Sequence, residues 1–136
     1  DKLIDRSDFR TLIRALKANE IVWYAPDQDF GPKHSVYAPF FGVEAATVTA
    51  TSRIAKMNNS SVLMLTHHRQ PDKTYKLIVH PPADNFPSES DKQDAASVND
   101  QLERGIRIDP RQYMWIHRRF KTHPKGKGYV YGKLRK

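Results

Sequence analysis

The feature that most constrains the fold of this chain is an uninterrupted apolar run, Ile21-Val22-Trp23-Tyr24-Ala25. Its β-branched and aromatic residues favour a strand, and its lack of polar alternation is typical of a strand covered on both faces. Directly before it, residues 7–19 are predicted to form an amphipathic helix, because apolar side chains recur there with helical spacing. A strand covered on both faces requires helices packed on a sheet, so the sequence predicts an α/β fold.

The rest of the chain continues this alternation of helices and strands. The sequence predicts a helix over Glu44–Met57, strands over Ser61–Thr66 and Tyr75–His80 joined by a hairpin at His67–Lys73, and a helix over Asp91–Ile108. Because three strands and three helices make a thin domain, we expect further layers upstream. In this interpretation, residues 1–136 are the C-terminal portion of one domain.

Composition excludes several kinds of site. The chain has no cysteine, which rules out disulfides, thiolate nucleophiles and cysteine-based zinc sites, and we expect neither a metal nor a cofactor. It begins with aspartate, carries no signal peptide, and has no apolar run approaching the roughly 20 residues that span a membrane. We therefore expect that the chain begins inside a larger protein.

The net charge of +8 is concentrated at the C-terminal end. Residues Pro110–Lys136 contain nine lysines and arginines and no acidic residue, whereas the other 109 residues hold 14 basic and 15 acidic side chains. Residues 109–136 therefore form a basic tail segment within the domain. Such a segment favours an anionic partner, whether phosphate, an acidic lipid headgroup, nucleic acid or an acidic protein.

The best-placed polar cluster is the loop that follows the predicted strand, Asp27–Lys33. Ligands tend to bind at the carboxyl ends of strands in open α/β sheets. Asp27 and Asp29 are therefore candidates to hold a metal, orient a base or bind a substrate hydroxyl. The alternative is an Asx-turn, in which the carboxylates accept hydrogen bonds from backbone N–H groups of the loop.

A second candidate is the spacing H-x-x-x-x-D, which His67 and Asp72 match. This spacing resembles the catalytic pattern of glycerolipid-type acyltransferases, in which a carboxylate orients a histidine base. Here the match spans a Pro-Asp turn between two predicted strands, so we interpret it as a solvated hairpin turn. Zinc binding by His67 and His68 is not expected, because neighbours on a strand point to opposite faces.

Aromatic and cationic residues interleave in the basic tail over Gln112–Lys121. This pattern fits a nucleic-acid surface, in which aromatic rings stack on bases and cations contact phosphates. It equally fits a phosphate or lipid-headgroup site, with Tyr113 and Trp115 near the interface and the arginines on phosphate. The remaining alternative is an edge element with a solvated basic end.

Three blocks of the sequence are more specific than composition. They are Ile13–Lys17 leading into Val22–Pro32 (V-W-Y-A-P-D-Q-D-F-G-P), then Ser35–Phe41 (S-V-Y-A-P-F-F), and Pro110–Thr122 (P-R-Q-Y-M-W-I-H-R-R-F-K-T). In this order, and over nearly the whole chain, they resemble the bacterial lipid A biosynthesis late acyltransferases. The third block is closest to the branch that adds the first secondary chain, usually laurate or palmitoleate.

The resemblance implies a glycerolipid-acyltransferase-like layered sheet with flanking helices, and it implies a reaction. A fatty acyl chain passes from acyl carrier protein to the hydroxyacyl chain of a Kdo-bearing lipid A precursor, at the cytoplasmic face of the inner membrane. In the family an H-x-x-x-x-D/E dyad supplies the base, and the match at His67 and Asp72 lies in the wrong block. We therefore expect that this chain carries the acceptor-side part and is inactive alone.

The resemblance also implies site residues. Asp27 matches the family's functional aspartate and is the predicted catalytic residue. The residues predicted to bind substrate are Asp29 and Gly31 of the same loop, Arg6, and Arg118, Arg119 and Lys121 of the tail. The expected partners are acyl carrier protein, the lipid A precursor and an anionic membrane surface.

Two alternatives without catalysis remain open. One is a small basic nucleic-acid-binding module, and the other is a lipid- or carrier-docking module. Because the predicted strands carry almost no basic residues, Lys76 being the exception, we expect no nucleic-acid partner.

Overall fold

The computed structural model of the chain describes residues 3–5 and 7–132. Helices and strands alternate along these residues. The helices are α1 (Phe9–Lys17), α2 (Ala50–Asn58) and α3 (Asp91–Ile108), and the strands are β1 (Ser35–Phe40), β2 (Val43–Val48), β3 (Leu65–Arg69) and β4 (Tyr75–Val79). A short 3-10 helix, Pro110–Gln112, follows α3. The protein is therefore of the mixed α/β class, as predicted.

The strands form two separate antiparallel hairpins in the described part of the chain. In the first, β1 pairs with β2 in a register that joins Ser35 to Val48. In the second, β3 pairs with β4 and joins Leu65 to Val79. The resemblance implies one layered sheet, and residues 3–5 and 7–132 show these two hairpins in its place.

The prediction of a helix over Glu44–Met57 is wrong in its first half. Residues Val43–Val48 form β2, and the helix α2 begins only at Ala50. The two-residue turn Phe41-Gly42 has positive φ at both positions, 49° and 75°, which is the backbone geometry of a tight hairpin. This turn brings β2 against β1, and the backbone ladder outweighs the helical propensity of the alanines in this segment.

The core lies between α3 and the first hairpin. Phe40 of β1 is fully buried, and Val98 of α3 is almost fully buried. Asn99, also fully buried, donates from Nδ2 to the carbonyl oxygen of Pro39 at 2.8 Å and to Oγ1 of Thr47 at 2.9 Å. Because both bonds cross from the helix to the hairpin, they fix the angle at which the two elements pack.

The bounds of α3 agree with the helix predicted over Asp91–Ile108. Its N-terminus is capped by Ser90, whose Oγ accepts from the N–H of Gln93 at 3.3 Å. Asp91 and Asp94 lie in the first turn, where the helix dipole favours negative charge. Local signals are therefore sufficient to define this helix.

The first helix is shorter than the predicted span 7–19. Asp8 caps it in place of Ser7, because the Asp8 carboxylate accepts from the N–H of Thr11 at 3.0 Å. After its last turn, Asn19 adopts a positive φ of 58°, a conformation that ends a helix and that asparagine tolerates.

The apolar run Ile21–Ala25 has no regular secondary structure and belongs to neither hairpin. The prediction of a strand covered on both faces is wrong for the described residues, because Ile21 is fully exposed and Trp23 is 73% exposed. Composition favours an extended backbone here, but a strand also needs a neighbour whose backbone groups pair with it. Within residues 3–5 and 7–132 no such neighbour lies beside the run.

The predicted hairpin over the second pair of strands is confirmed, with β3 beginning at Leu65 instead of Ser61. Its turn is held by Asp72, whose Oδ1 accepts from the N–H of Thr74 at 3.0 Å and from its hydroxyl at 2.7 Å. The strand β3 approaches α3 closely at Gly105, where an added Cβ would lie 2.4 Å from Cγ2 of Thr66.

The described helices include none that is long and apolar enough to cross a membrane. Over the same residues, histidine and acidic side chains form no group of three or more that would hold a metal ion.

Candidate functional site

The loop of residues 27–31 is anchored to the C-terminal part of the chain by Asp29. This side chain is buried, with 2% of its surface exposed. Its Oδ1 accepts a hydrogen bond from the N–H of Gly31 at 2.8 Å, and its Oδ2 accepts one from the N–H of Thr122 at 2.8 Å. The backbone N–H of Asp29 in turn donates to Nε2 of His117 at 2.9 Å. Asp29 therefore joins two segments that lie about ninety residues apart.

Asp29 and Gly31 were both predicted to bind substrate, and the structure gives both a role in shaping the loop. The bond from Asp29 to the N–H of Gly31 is the Asx-turn that was left open as the alternative. Gly31 has a φ of 86°, a conformation that residues with a side chain rarely adopt. A direct contact of either residue with substrate stays a prediction.

Asp27 lies two residues before this anchor, half-buried at the edge of a groove. Its carbonyl oxygen accepts from the hydroxyl of Tyr113 at 3.4 Å, so the tail also holds the loop at this point. Burial, and then the negative charge of Asp27, raise the pKa of Tyr113 to about 12. The Tyr113 hydroxyl therefore remains protonated at neutral pH and acts as a donor.

The groove beside Asp27 has a volume of about 510 Å³. Its walls come from α1, α2, α3 and the segments at residues 22–28 and 60–68. They are mainly apolar, with side chains that include Leu16, Ile54, Val62, Leu102 and Met114. A mainly apolar groove with a few polar side chains is the usual form of a small-molecule binding site. The polar side chains here include Asp27, Tyr113 and His68.

Arg119 was predicted to contact an anionic substrate, and the structure places it inside the protein with 1% of its surface exposed. Its guanidinium donates to the carbonyl oxygen of Ala46 at 2.7 Å, to Oγ1 of Thr47 at 3.0 Å and to Oδ1 of Asn99 at 3.3 Å. It also lies over the ring of Phe40, 5.1 Å from the centroid. Arg119 therefore links the tail to β2 and α3, which corrects its predicted placement on a basic surface.

Burial and nearby polar groups act in opposite directions on the pKa of Arg119. Burial lowers the pKa of its guanidinium, while the nearby groups Tyr113, Asp29 and Asp27 act in the opposite direction. An arginine remains charged even when its pKa is lowered, so the interior of this site contains a positive charge.

The other predicted cations of the tail are exposed. The guanidinium of Arg118 lies over the ring of Tyr131, 5.5 Å from its centroid, and Lys121 projects into solvent. The chain runs through turns at this point and leaves Arg118 at the surface while it buries Arg119. Arg6, which was also predicted to bind substrate, lies outside the described residues.

His68 is a buried polar residue of the groove that was not predicted from the sequence. Its interpretation as part of a solvated turn is wrong, because it lies on β3 with only 8% of its surface exposed. His67, by contrast, is exposed, and Asp72 is engaged by Thr74, which lowers the pKa of the Asp72 carboxyl. His67 also lies on β3 and Asp72 lies in the turn that follows, so the H-x-x-x-x-D match spans the end of a strand and a hairpin turn. The only signal for His68 was the alternation of faces along a strand.

Gln112 has a structural role in the third sequence block, Pro110–Thr122. Its side-chain amide accepts from the N–H of Arg69 at 2.8 Å and donates to the Arg69 carbonyl at 3.0 Å, in the way a neighbouring strand would. It also donates to Asp109 at 3.0 Å. Hydrogen bonds from Arg111 and Gln112 lower the pKa of Asp109 to about 2. These contacts fix the start of the tail against β3.

The chain belongs to the bacterial lipid A biosynthesis acyltransferase family, whose profile matches residues 1–122. All parts of the site described above, from the Asp27 loop to Thr122, fall within that match.

Individual relatives agree with this assignment. The chain is 46% identical over 126 residues to a lipid A biosynthesis lauroyltransferase of Escherichia coli strain K12, covering 91% of this chain and 41% of the relative. It is 41% identical over 131 residues to the palmitoleoyltransferase of the same strain, covering 95% and 42%. The identity to the myristoyltransferase of that strain is 32% over 128 residues, covering 92% and 39%. The predicted lauroyl/palmitoleoyl branch is therefore confirmed, and the chain spans about two fifths of the length of these relatives.

Proposed function

We propose that this chain forms the acceptor-side part of an enzyme that transfers a fatty acyl chain from acyl carrier protein to the hydroxyacyl chain of a Kdo-lipid A precursor. The family match over residues 1–122 and the relatives named for lauroyl and palmitoleoyl transfer support the reaction class. The proposal places the full enzyme at the cytoplasmic face of the inner membrane, with the layered sheet of a glycerolipid-acyltransferase-like fold completed by further residues.

The observation that carries the proposal is the position of Asp27. Its carboxylate lies at the edge of an apolar groove of about 510 Å³, on a loop that Asp29, Tyr113 and His117 hold against the tail. A rigid polar group beside a channel for hydrocarbon is the arrangement required to present a lipid hydroxyl to a second reactant. The groove would hold the hydrocarbon, and Asp27 would hold the polar end.

In the proposed reaction, the hydroxyl oxygen of the acceptor attacks the thioester carbonyl carbon of the donor. A new C–O ester bond forms, the C–S bond breaks, and the carrier thiol leaves with the proton that a general base removed from the hydroxyl. Asp27 would accept a hydrogen bond from that hydroxyl or orient the base. We propose that the base is a histidine of an H-x-x-x-x-D/E dyad outside these 136 residues.

A chimera tests the proposal. We would replace the matched 126-residue stretch of the Escherichia coli lauroyltransferase by this chain and assay transfer of laurate from acyl carrier protein to Kdo-lipid A precursor. The chimera is expected to be active, and the isolated 136-residue chain is expected to be inactive. Transfer by the isolated chain, or an inactive chimera that is folded, would contradict the proposal.

We further propose that the tail contacts an anionic membrane surface. Ile116 is 91% exposed and Trp115 is half-exposed, beside the exposed cations Arg118 and Lys121. Exposed apolar and aromatic side chains flanked by cations match the interface of an anionic bilayer. The substitution pair Arg118→Gln and Lys121→Gln is expected to weaken binding to vesicles containing phosphatidylglycerol. At about 1 kcal/mol per cation, the loss at low salt is about 30-fold.

The control for vesicle binding is the pair Arg14→Gln and Lys17→Gln on α1, which removes the same charge from another face. It is expected to retain most of the binding in a vesicle sedimentation assay. Equal losses for the two pairs, or equal binding to neutral vesicles, would assign the effect to net charge and remove the tail from the proposal.

A further inference from the structure

We infer that His117 is a positioning residue for Asp27, and that only its neutral imidazole, with the proton on Nδ1, holds the loop at residues 27–31 in place. The inference rests on the proposed function, because it names the side chain that would fix the carboxylate of Asp27 for the reaction. His117 was not among the site residues predicted from the sequence.

The first supporting observation is the direction of the hydrogen bond between the tail and the loop. The backbone N–H of Asp29 donates to Nε2 of His117 at 2.9 Å. Because an N–H cannot accept, Nε2 must carry a lone pair and no proton. This bond assigns His117 to the neutral form that is protonated at Nδ1. A protonated imidazole has N–H groups at both nitrogens and cannot make the bond.

The second observation is the burial of the donor. Asp29 has 2% of its surface exposed, so an N–H released from His117 would have little access to water. A buried N–H without an acceptor costs free energy, and protonation of His117 would also place two N–H groups opposite each other. The loop is therefore expected to leave its position when His117 takes up a proton.

The position of Asp27 depends on this anchor, because Asp27 is weakly held on its own. Its carbonyl oxygen lies 3.4 Å from the hydroxyl of Tyr113, which is long for a bond between two oxygens. The shorter bonds are made two residues later, where Asp29 is bound by His117 and by the N–H of Thr122. A displacement of about 1 Å at a reacting group lowers a rate by about 10²-fold.

Charged and titratable groups lie near this bond on both segments. They are Asp27 and Asp29 on the loop, and Tyr113, Arg118, Arg119 and Tyr131 on the tail. Among these residue types and histidine, only histidine ordinarily changes its charge between about pH 5 and 8. Because the bond requires the neutral ring, the anchor is present at the higher pH and is lost as the pH falls.

Nuclear magnetic resonance of the 136-residue chain, labelled with nitrogen-15, tests the anchor directly. Ring nitrogen shifts distinguish the two neutral forms of histidine from the charged form. At pH 8 we expect an unprotonated Nε2 in His117, and towards pH 5.5 we expect the amide signal of Asp29 to shift together with the ring signals. A proton on Nε2 at pH 8, or an Asp29 amide that does not follow His117, would overturn the inference.

The pH profile of acyl transfer by the lauroyltransferase chimera tests the effect on Asp27. Glutamine can place a carbonyl oxygen near the position of Nε2 and does not titrate. Between pH 8 and pH 5.5 the rate of His117→Gln is therefore expected to fall about tenfold less than that of the parent chimera. His117→Leu offers no acceptor and is expected to be about 10²-fold slower at pH 8. A histidine base outside this chain would titrate in all three proteins, so the comparison removes its contribution.

His123 provides the matched control on the same tail. Its Nδ1 accepts from the N–H of Lys125 at 3.1 Å, within a turn of the tail and away from the loop. His123→Asn keeps an acceptor near that position, and the variant is expected to retain the pH profile of the parent chimera. The same profile in His117→Gln and the parent, or the turnover of the parent in His117→Leu, would leave His117 only a structural role and refute the inference.

The outcomes also separate this inference from the proposed function. If the parent chimera transfers laurate and its pH profile is unchanged in His117→Gln, the proposed reaction stands and His117 does not position Asp27. If the parent chimera is folded but inactive, the proposed reaction is refuted, and the magnetic resonance titration still decides whether neutral His117 holds the loop.

Discussion

Replacing Asp27 by asparagine in the lauroyltransferase chimera is expected to lower acyl transfer by about 10²- to 10⁴-fold, the usual contribution of a group that assists proton transfer. Asparagine keeps the shape of the side chain but removes the negative charge that would accept from the acceptor hydroxyl or orient the base. The contact of Asp27 with Tyr113 uses the backbone oxygen, so the loop should keep its position. Initial rates at saturating donor and acceptor would measure the effect.

The neighbouring carboxylate provides the matched control. Asp29→Asn replaces one of two oxygens that accept from backbone N–H groups, at Gly31 and Thr122, by an amide nitrogen that cannot accept. That variant is expected to lose thermal stability, whereas Asp27→Asn should unfold at nearly the same temperature as the parent. If Asp27→Asn keeps the turnover of the parent chimera, Asp27 is only a loop residue and the proposed site is wrong.

Arg119→Ala is expected to lower the free energy of unfolding of the chain by about 3–5 kcal/mol. The substitution deletes the donors that satisfy Ala46, Thr47 and Asn99, and it leaves a cavity against Phe40. Because a domain of this size is stable by only about 5–15 kcal/mol, the change would be a large part of the total stability. Urea unfolding followed by circular dichroism would measure the change.

The adjacent residue is the natural comparison for Arg119. Arg118→Ala removes the same charge from an exposed position, and its effect on stability is expected to lie within about 0.5 kcal/mol. In the vesicle assay we expect the opposite order of effects. Arg118→Ala should weaken binding more than Arg119→Ala, because Arg118 lies on the surface and Arg119 does not. Similar unfolding curves for the two variants would contradict the internal role given to Arg119.

Local signals in the sequence were sufficient for some elements of the fold. The helix α3 was predicted with its observed bounds, since Ser90, Asp91 and Asp94 define its start independently of tertiary contacts. The first half of Glu44–Met57 was not predicted correctly, because the turn Phe41-Gly42 and pairing with β1 decide its structure. For Ile21–Ala25, composition favoured a strand but could not show whether a neighbouring strand pairs with it.

The site shows the same division between local and distant causes. The loop containing Asp27 was recognisable, because acidic residues followed an apolar run and preceded a glycine. The bond from Asp29 to Thr122 was not predictable from spacing, because the two residues lie 93 positions apart. Which of two adjacent arginines or histidines is buried depends on the direction of the chain at that point, so Arg119 and His68 became clear only in three dimensions.

The anchoring of the loop by Asp29 also decides where sequences of this family can be recombined. The loop at residues 27–31 and the segment at 117–122 form one structural unit, although most of the chain lies between them. A crossover placed between these two segments would combine a loop from one parent with an anchor from another. Crossovers that leave both on the same side exchange the unit intact, so module boundaries here follow hydrogen bonds and not distance along the chain.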